Sequence, residues 1–210
     1  KRNSIQTKIS PMLAAFNSKI LTNSKLWERV SSVYEHRNDS KLTKEQVRVS
    51  ELYYEMFKRA GAVLSETKKK RYTAIMQNLA ELGTKFSQNL LSDESSWCLS
   101  LEESDLEGLP EFVINSMSQA ALDRDVKGYA LTLSRSILEP FLQFSSNRKL
   151  REKAHLAWSS RGMNGGDTDN INIAKETLSL RTERANILGY NSFADFKLEN
   201  QMAKNPKSRT

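Results

Sequence analysis

Residues 147–206, NRKLREKAHLAWSSRGMNGGDTDNINIAKETLSLRTERANILGYNSFADFKLENQMAKNP, read as three helices joined by two tight, glycine-marked corners. The first opens after Ser145 or Ser146, either of which can accept a backbone N–H as N-cap, and carries Leu150, Ala154, Ala157 and Trp158 on one face. Gly162 ends it. Asn164-Gly165-Gly166 makes a corner that needs positive φ. Asp167, Thr168 and Asp169 then place capping oxygens before a second helix, which Gly189 closes from a C′ position. Ser192 followed by Asp195 resembles a capping box opening the third helix, with Phe193, Phe196 and Met202 turned inward. Nothing in the stretch is catalytic in kind.

Working outward, Ile5, Ile9, Leu13, Phe16 and Ile20 fall at helical spacing, with Pro11 either bending that helix or starting a fresh one after Ser10. A second helix follows Asn23 and buries Leu26, Trp27, Val30, Val33 and Tyr34, and the polar run from His36 to Lys41 is a loop. Thr43 with Gln46 is a further capping-box pattern, opening a helix whose Val47, Leu52, Met56 and Phe57 face the core. Ser65 caps the longest helix, from Glu66 to about Leu91, with one apolar stripe from Tyr72 to Leu90. Trp97, Leu99 and Leu101, and again Tyr129, Leu131 and Leu133, alternate with small residues as strands do, and the two can pair into a ribbon. Pro110 starts a helix between them, and a short helix spans Ile137 to Phe144. The expected fold is mainly α, an elongated multi-helix bundle with a small two-stranded β-ribbon, residues 1–210 forming a single helical domain.

The charged fraction of 27% with only 8 Gly and 4 Pro argues against disorder. The formal net charge of +7 permits contact with nucleic acid or an anionic surface but does not by itself point to one. Cys98 is the only cysteine, which excludes a disulfide framework and suits a reducing compartment. No apolar run approaches the ~20 residues that span a bilayer, and no signal-peptide pattern opens the chain. A cytoplasmic location and no membrane partner are therefore expected. The chain opens on Lys1 rather than Met and stops at Thr210, so both ends fit a cut from something longer.

Each chemistry-bearing residue has a plainer reading. Glu152-x-x-His155 has the i, i+3 spacing of di-iron carboxylate sites, but such a site needs a second copy, and His36 is the only other histidine. Glu35-His36 are adjacent and do not converge on a point. Cys98 sits on an alternating strand, which suits a packed thiol. Lys68-Lys69-Lys70-Arg71 opposes the dipole at a helix start and reads as a solvated face, with no interleaved aromatics to favour nucleic acid. Arg135 and Arg161 lie beside loops, and the corner at Asn164 can offer N–H groups to an anion, yet a turn between helices accounts for these residues. No catalytic, cofactor-binding or metal-binding residue is assigned.

Leu150-Arg151-Glu152-Lys153-Ala154 with Ala157-Trp158 and Arg161-Gly162, then Asn164-Gly165-Gly166 with Thr168-Asp169-Asn170, resemble the helical part of the zinc oligopeptidases: thimet oligopeptidase, oligopeptidase A and bacterial peptidyl-dipeptidase (dipeptidyl carboxypeptidase). Leu180-Arg181, Glu183-Arg184-Ala185 and Leu188-Gly189-Tyr190 with Ser192-Phe193-Ala194-Asp195, closing on Met202-Ala203-Lys204, are similar to the family's next block. Upstream, Ile9-Ser10-Pro11, Arg59-Ala60-Gly61-Ala62, Leu82-Gly83-Thr84 with Phe86-Ser87-Gln88-Asn89, and Leu133-Ser134-Arg135-Ser136 with Glu139-Pro140-Phe141 follow in the family's order, the peptidyl-dipeptidase branch looking nearest.

The resemblance implies two helical halves enclosing a deep channel for short peptides. Zinc in the catalytic half polarises the scissile carbonyl while a Glu activates water. That chemistry resides in a His-Glu-x-x-His helix, which this chain lacks, and members are roughly three times as long, as several domains require. The chain thus reads as a channel-forming piece of the N-terminal, non-catalytic half. No cofactor is expected in it, zinc belongs to the catalytic half missing from this sequence, and the implied partners are that half and short peptides. The alternatives are a stand-alone inactive binding or scaffold module and, more weakly, a nucleic-acid binder.

Overall fold

The computed structural model describes residues 2–39 and 41–207, with side chains from Ser4 onward. Among them are nine α-helices and one two-stranded sheet. In order these are α1 (Arg2–Leu21), α2 (Ser24–Glu35), α3 (Lys44–Arg59), α4 (Glu66–Ser96), β1 (Cys98–Leu101), α5 (Glu111–Leu122), β2 (Tyr129–Thr132), α6 (Arg135–Phe144), α7 (Arg148–Ser159), α8 (Ile171–Ile187) and α9 (Phe193–Leu198). The mainly helical class and the ribbon are as the periodicities require. None of the described helices is long and apolar enough to cross a membrane. The chain divides into two compact units, one built on residues up to Lys85 with those from Ile173 on, the other on Phe86–Asn172.

In the Phe86–Asn172 unit, β1 and β2 pair antiparallel with Leu99 opposite Leu131 and Leu101 opposite Tyr129. Helix α5 lies against β2, and α6 and α7 complete a single core. Val113, Met117, Leu131, Leu133 and Phe141 are fully buried there, with Ala154 from α7. Leu150, Ala157 and Trp158 pack on its edge, so the α7 face read from the sequence is the one that packs. The cap of α7 is a correction. Asn147, not Ser145 or Ser146, accepts the Leu150 N–H at 3.2 Å, while Ser145 Oγ accepts the Asn147 N–H one step earlier. The glycines at 162, 165 and 166 have φ of +71°, +75° and +72°, as the corner demands.

The other unit is put together differently. The stacked rings of Tyr34 and Tyr54, 3.9 Å apart, and Trp27 against Tyr54 join α2 to α3. Helix α1 runs through Pro11 as one element and neither ends nor restarts there. No residue of α2 is buried, and in α3 only Ser50 and Phe57 are. Leu52 and Met56, expected to face a core, are about half exposed, because they line an open groove rather than a closed core. Met202 is also corrected: α9 stops at Leu198, and the Met202 side chain is fully exposed. The expected loop from His36 to Lys41 includes Ser40, which lies outside the described residues.

Helix α4 continues five residues beyond the expected end at Leu91, and the contacts of Asp93 and Glu94 given below hold that extension. At the start of α3 the Thr43–Gln46 capping box is complete, each side chain bonding the other's backbone N–H. Thr43→Ala removes one of these bonds and should cost ~1 kcal/mol, read as a Tm lower by about 2–4 °C at this chain length.

Candidate functional site

Within the unit built on residues up to Lys85 and from Ile173 on, α1, α3, α4, α8 and α9 surround an open groove of about 810 Å³. Its walls are mixed: Leu13, Leu52 and Met56 give apolar surface, and Arg59, Arg184 and Glu55 bring charge. Arg59 leaves the last turn of α3 and donates to the Glu199 carboxylate and to the Phe196 carbonyl. Tyr190 donates its hydroxyl to the same Glu199 at 2.6 Å. Burial, and then the adjoining Glu199 charge, push the Tyr190 hydroxyl up to about 12, so this group remains a donor across the accessible pH range. The Arg59–Glu199–Tyr190 cluster ties α3 to the segment around α9.

Arg184, on α8, lies over the rings of Phe196 (5.0 Å) and Tyr72 (5.5 Å), and its buried Nε has no hydrogen-bond partner. Nothing in the sequence singled it out. Its signal was present only as the Arg of Glu183-Arg184-Ala185, quoted above as part of a resemblance and not as a site. A groove with apolar walls and basic side chains can bind and orient a chain segment. It contains no nucleophile paired with a base.

A second constellation sits in the Phe86–Asn172 unit, at the last turn of α4. Asp93 accepts the Gly162 N–H at 2.8 Å, the Asn164 amide at 3.1 Å and the Thr168 hydroxyl at 2.5 Å. Burial pushes its carboxyl up, but those hydrogen bonds and the Arg161 charge outweigh it and hold the group below the usual carboxylate range. Beside it, Arg161 bonds Glu94 at 2.9 Å and stacks over Trp158. At the Asn164-Gly165-Gly166 corner the Asn164 amide donates to Asp93 and the Gly165 N–H to Asp169 at 3.1 Å, so these donors serve the protein's own carboxylates.

The remaining sequence candidates stand apart from both constellations. Glu152 and His155 are exposed on α7 beside Arg148 and Arg151. His36 bonds the Ser32 carbonyl through Nδ1 at 2.8 Å. Cys98 is half-buried on β1 against the core. The basic run divides: Lys69 is buried and donates to Ser24 and Glu66, and Arg71 makes two bonds to Glu183, whereas Lys68 and Lys70 are exposed. Lys69 alone thus departs from the solvated face expected of the run, since Arg71 makes its ion pair while exposed. Arg135 pairs with Glu139 on the surface of α6. Among the described residues no three His, Cys, Asp or Glu come together as metal ligands, so the side chains present do not fit a zinc centre.

Comparison with known proteins agrees with the motifs. Residues 141–209 match the model of Peptidase family M3. Oligopeptidase A of Haemophilus influenzae is 37% identical over 156 residues, 72% of this chain and 23% of that protein. Oligopeptidase A of Escherichia coli is 35% identical over the same length and shares. Dipeptidyl carboxypeptidase of Escherichia coli is 27% identical over 206 residues, 97% of this chain and 30% of that protein. The chain belongs to peptidase family M3, and it spans between about a quarter and a third of the length of the curated relatives it matches.

Proposed function

We infer that this chain is a helical, substrate-channel portion of a zinc metallopeptidase that cleaves short oligopeptides in a peptidyl-dipeptidase-like manner, without the His-Glu-x-x-His centre. The observation that carries the reading is a pair of facts about one sequence. It matches relatives named as oligopeptidase A and dipeptidyl carboxypeptidase, and its two histidines, at 36 and 155, are too far apart in sequence to form a His-Glu-x-x-His motif, with no metal-ligand group among the described residues. The contribution of this portion is to bind and orient, and the groove lined by Leu13, Leu52, Met56 and Arg184 suits that task. Its partners on this reading are the catalytic half of the same polypeptide and short peptides, in the cytoplasm.

The 210-residue chain should neither cleave an internally quenched short peptide nor hold stoichiometric zinc by elemental analysis. Chelator-sensitive cleavage by the purified chain would overturn the reading. A longer polypeptide carrying these residues and a His-Glu-x-x-His helix should cleave the same peptide. The second reading, a stand-alone binding module, is favoured by the groove being formed entirely within these residues, and it predicts that no such longer polypeptide exists.

A further inference from the structure

The sequence holds a single Asn-Gly step, Asn164-Gly165, and the fold places it at the corner between α7 and α8. Both residues are exposed, and Gly165 has a φ of +75° with open space where a Cβ would stand. Without a side chain at 165, the Gly165 nitrogen meets no steric barrier on its way to Cγ of Asn164, with which it can close a five-membered ring.

Two carboxylates attend the reacting atoms. Asp169 Oδ2 accepts the Gly165 N–H at 3.1 Å, so the proton that must leave as this nitrogen attacks already has an acceptor. Hydrogen-bond reach of that proton is the geometric requirement for a general base. Asp169 is itself held in place, its Oδ1 accepting the Ile171 N–H at 2.8 Å at the start of α8. On the other side, the Asn164 amide donates to Oδ2 of the ionised Asp93 at 3.1 Å.

We propose that Asn164 is a self-modification site, with Asp169 as the base, and that its product unlatches the corner from Asp93. The Gly165 nitrogen bonds to Cγ of Asn164 while its proton passes to Asp169. The Cγ–Nδ2 bond then breaks, and the departing nitrogen takes up that proton and leaves as ammonia. Water adds to either carbonyl of the cyclic imide and reopens it, giving aspartate or isoaspartate at 164. An amide that donated is thereby replaced by a carboxylate that only accepts. Asp93 loses one of its three donors and gains a like charge, keeping only the bonds from Gly162 and Thr168. The step needs water alone and does not depend on the peptidase reading.

The test follows conversion at 164 by peptide mapping and mass spectrometry, in the folded 210-residue chain and in a free peptide of residues 160–171 held in the same mildly alkaline buffer. The folded chain should convert at least as fast as the peptide. Asp169→Asn keeps an oxygen to cap Ile171. It should slow the folded chain roughly tenfold, short of the ~10²-fold that an enzyme's base supplies, and leave the peptide unchanged. Asn164 that outlasts the free peptide overturns the proposal, and so does a folded-chain rate indifferent to Asp169→Asn. The comparison of native chain with peptide needs no variant, so it decides even where Asp169→Asn loosens α8. The product is tested by Asn164→Asp, whose Tm at neutral pH should fall by about 2–4 °C. A Tm equal to that of the native chain would mean that the corner does not respond to the new carboxylate, and overturns the unlatching.

Discussion

Phe141→Ala should destabilise the Phe86–Asn172 unit by about 3–5 kcal/mol, the range for removing a fully buried phenylalanine. Phe141 has no exposed surface and belongs to the one cluster that gathers α5, α6, α7 and both strands. Its helix reaches that cluster with only three buried residues, Ile137, Leu138 and Phe141. Pro140, immediately before it, lacks an N–H, so α6 is short of one helical hydrogen bond and depends on side-chain burial. Collapse around the lost ring is limited because the neighbours belong to different elements with their own constraints. Phe141→Leu keeps most of the buried area and should cost well under half as much. Urea unfolding followed by Trp97 and Trp158 fluorescence measures both, since both rings pack on this cluster. Equal costs for the two variants would mean that the ring does not fill the core as described.

What was legible in the sequence was what depends on near neighbours. Thr43 with Gln46, Ser192 with Asp195, the glycine corners and the alternation that pairs Leu99 with Leu131 are fixed by residues a few positions apart, and the structure has each of them. Periodicity also told which face of α3 is apolar. It could not tell whether this chain supplies something to lay on that face, and so Leu52 and Met56 were assigned to a core they do not reach. The same reasoning misjudged Met202, where the helical pattern was carried four residues past Leu198. The Asn147 cap was legible in principle, since Asn ranks with Ser at that position, and the choice turned on which of three candidate residues the chain used. Arg184 was not legible at all. An arginine is read as solvated unless partners are known, and both of its rings come from distant elements, Tyr72 on α4 and Phe196 on α9.

Asp93 was missed for a different reason, although a signal for it existed. A carboxylate in the last turn of a helix faces the negative end of the dipole and is unfavourable there by itself. Ser92-Asp93-Glu94 therefore looked like the run-out of the helix, when Asp93 is the anchor that keeps it going: its three donors come from Gly162, Asn164 and Thr168, some seventy residues on. Asp93→Asn keeps the size of the group but removes the charge and turns an amide N–H₂ toward donors, and should cost ~2 kcal/mol at neutral pH. The pH dependence follows from the direction of the shift. Because the folded carboxyl is held below its ordinary value, the unfolded chain binds the proton more readily. The stabilisation is then complete above the unfolded value near ~4, and it is lost as pH falls through the lower folded value. Thermal melts from pH 7 down to pH 2 should show a Tm gap between the native chain and Asp93→Asn that is constant above about pH 5 and narrows in acid. A gap that stays constant down to pH 2 would mean that the carboxylate's charge contributes nothing, and that the corner is held by its other contacts, among them those of Asn170 to Asn89, Phe86 and Gly162 and the Gly165 N–H to Asp169.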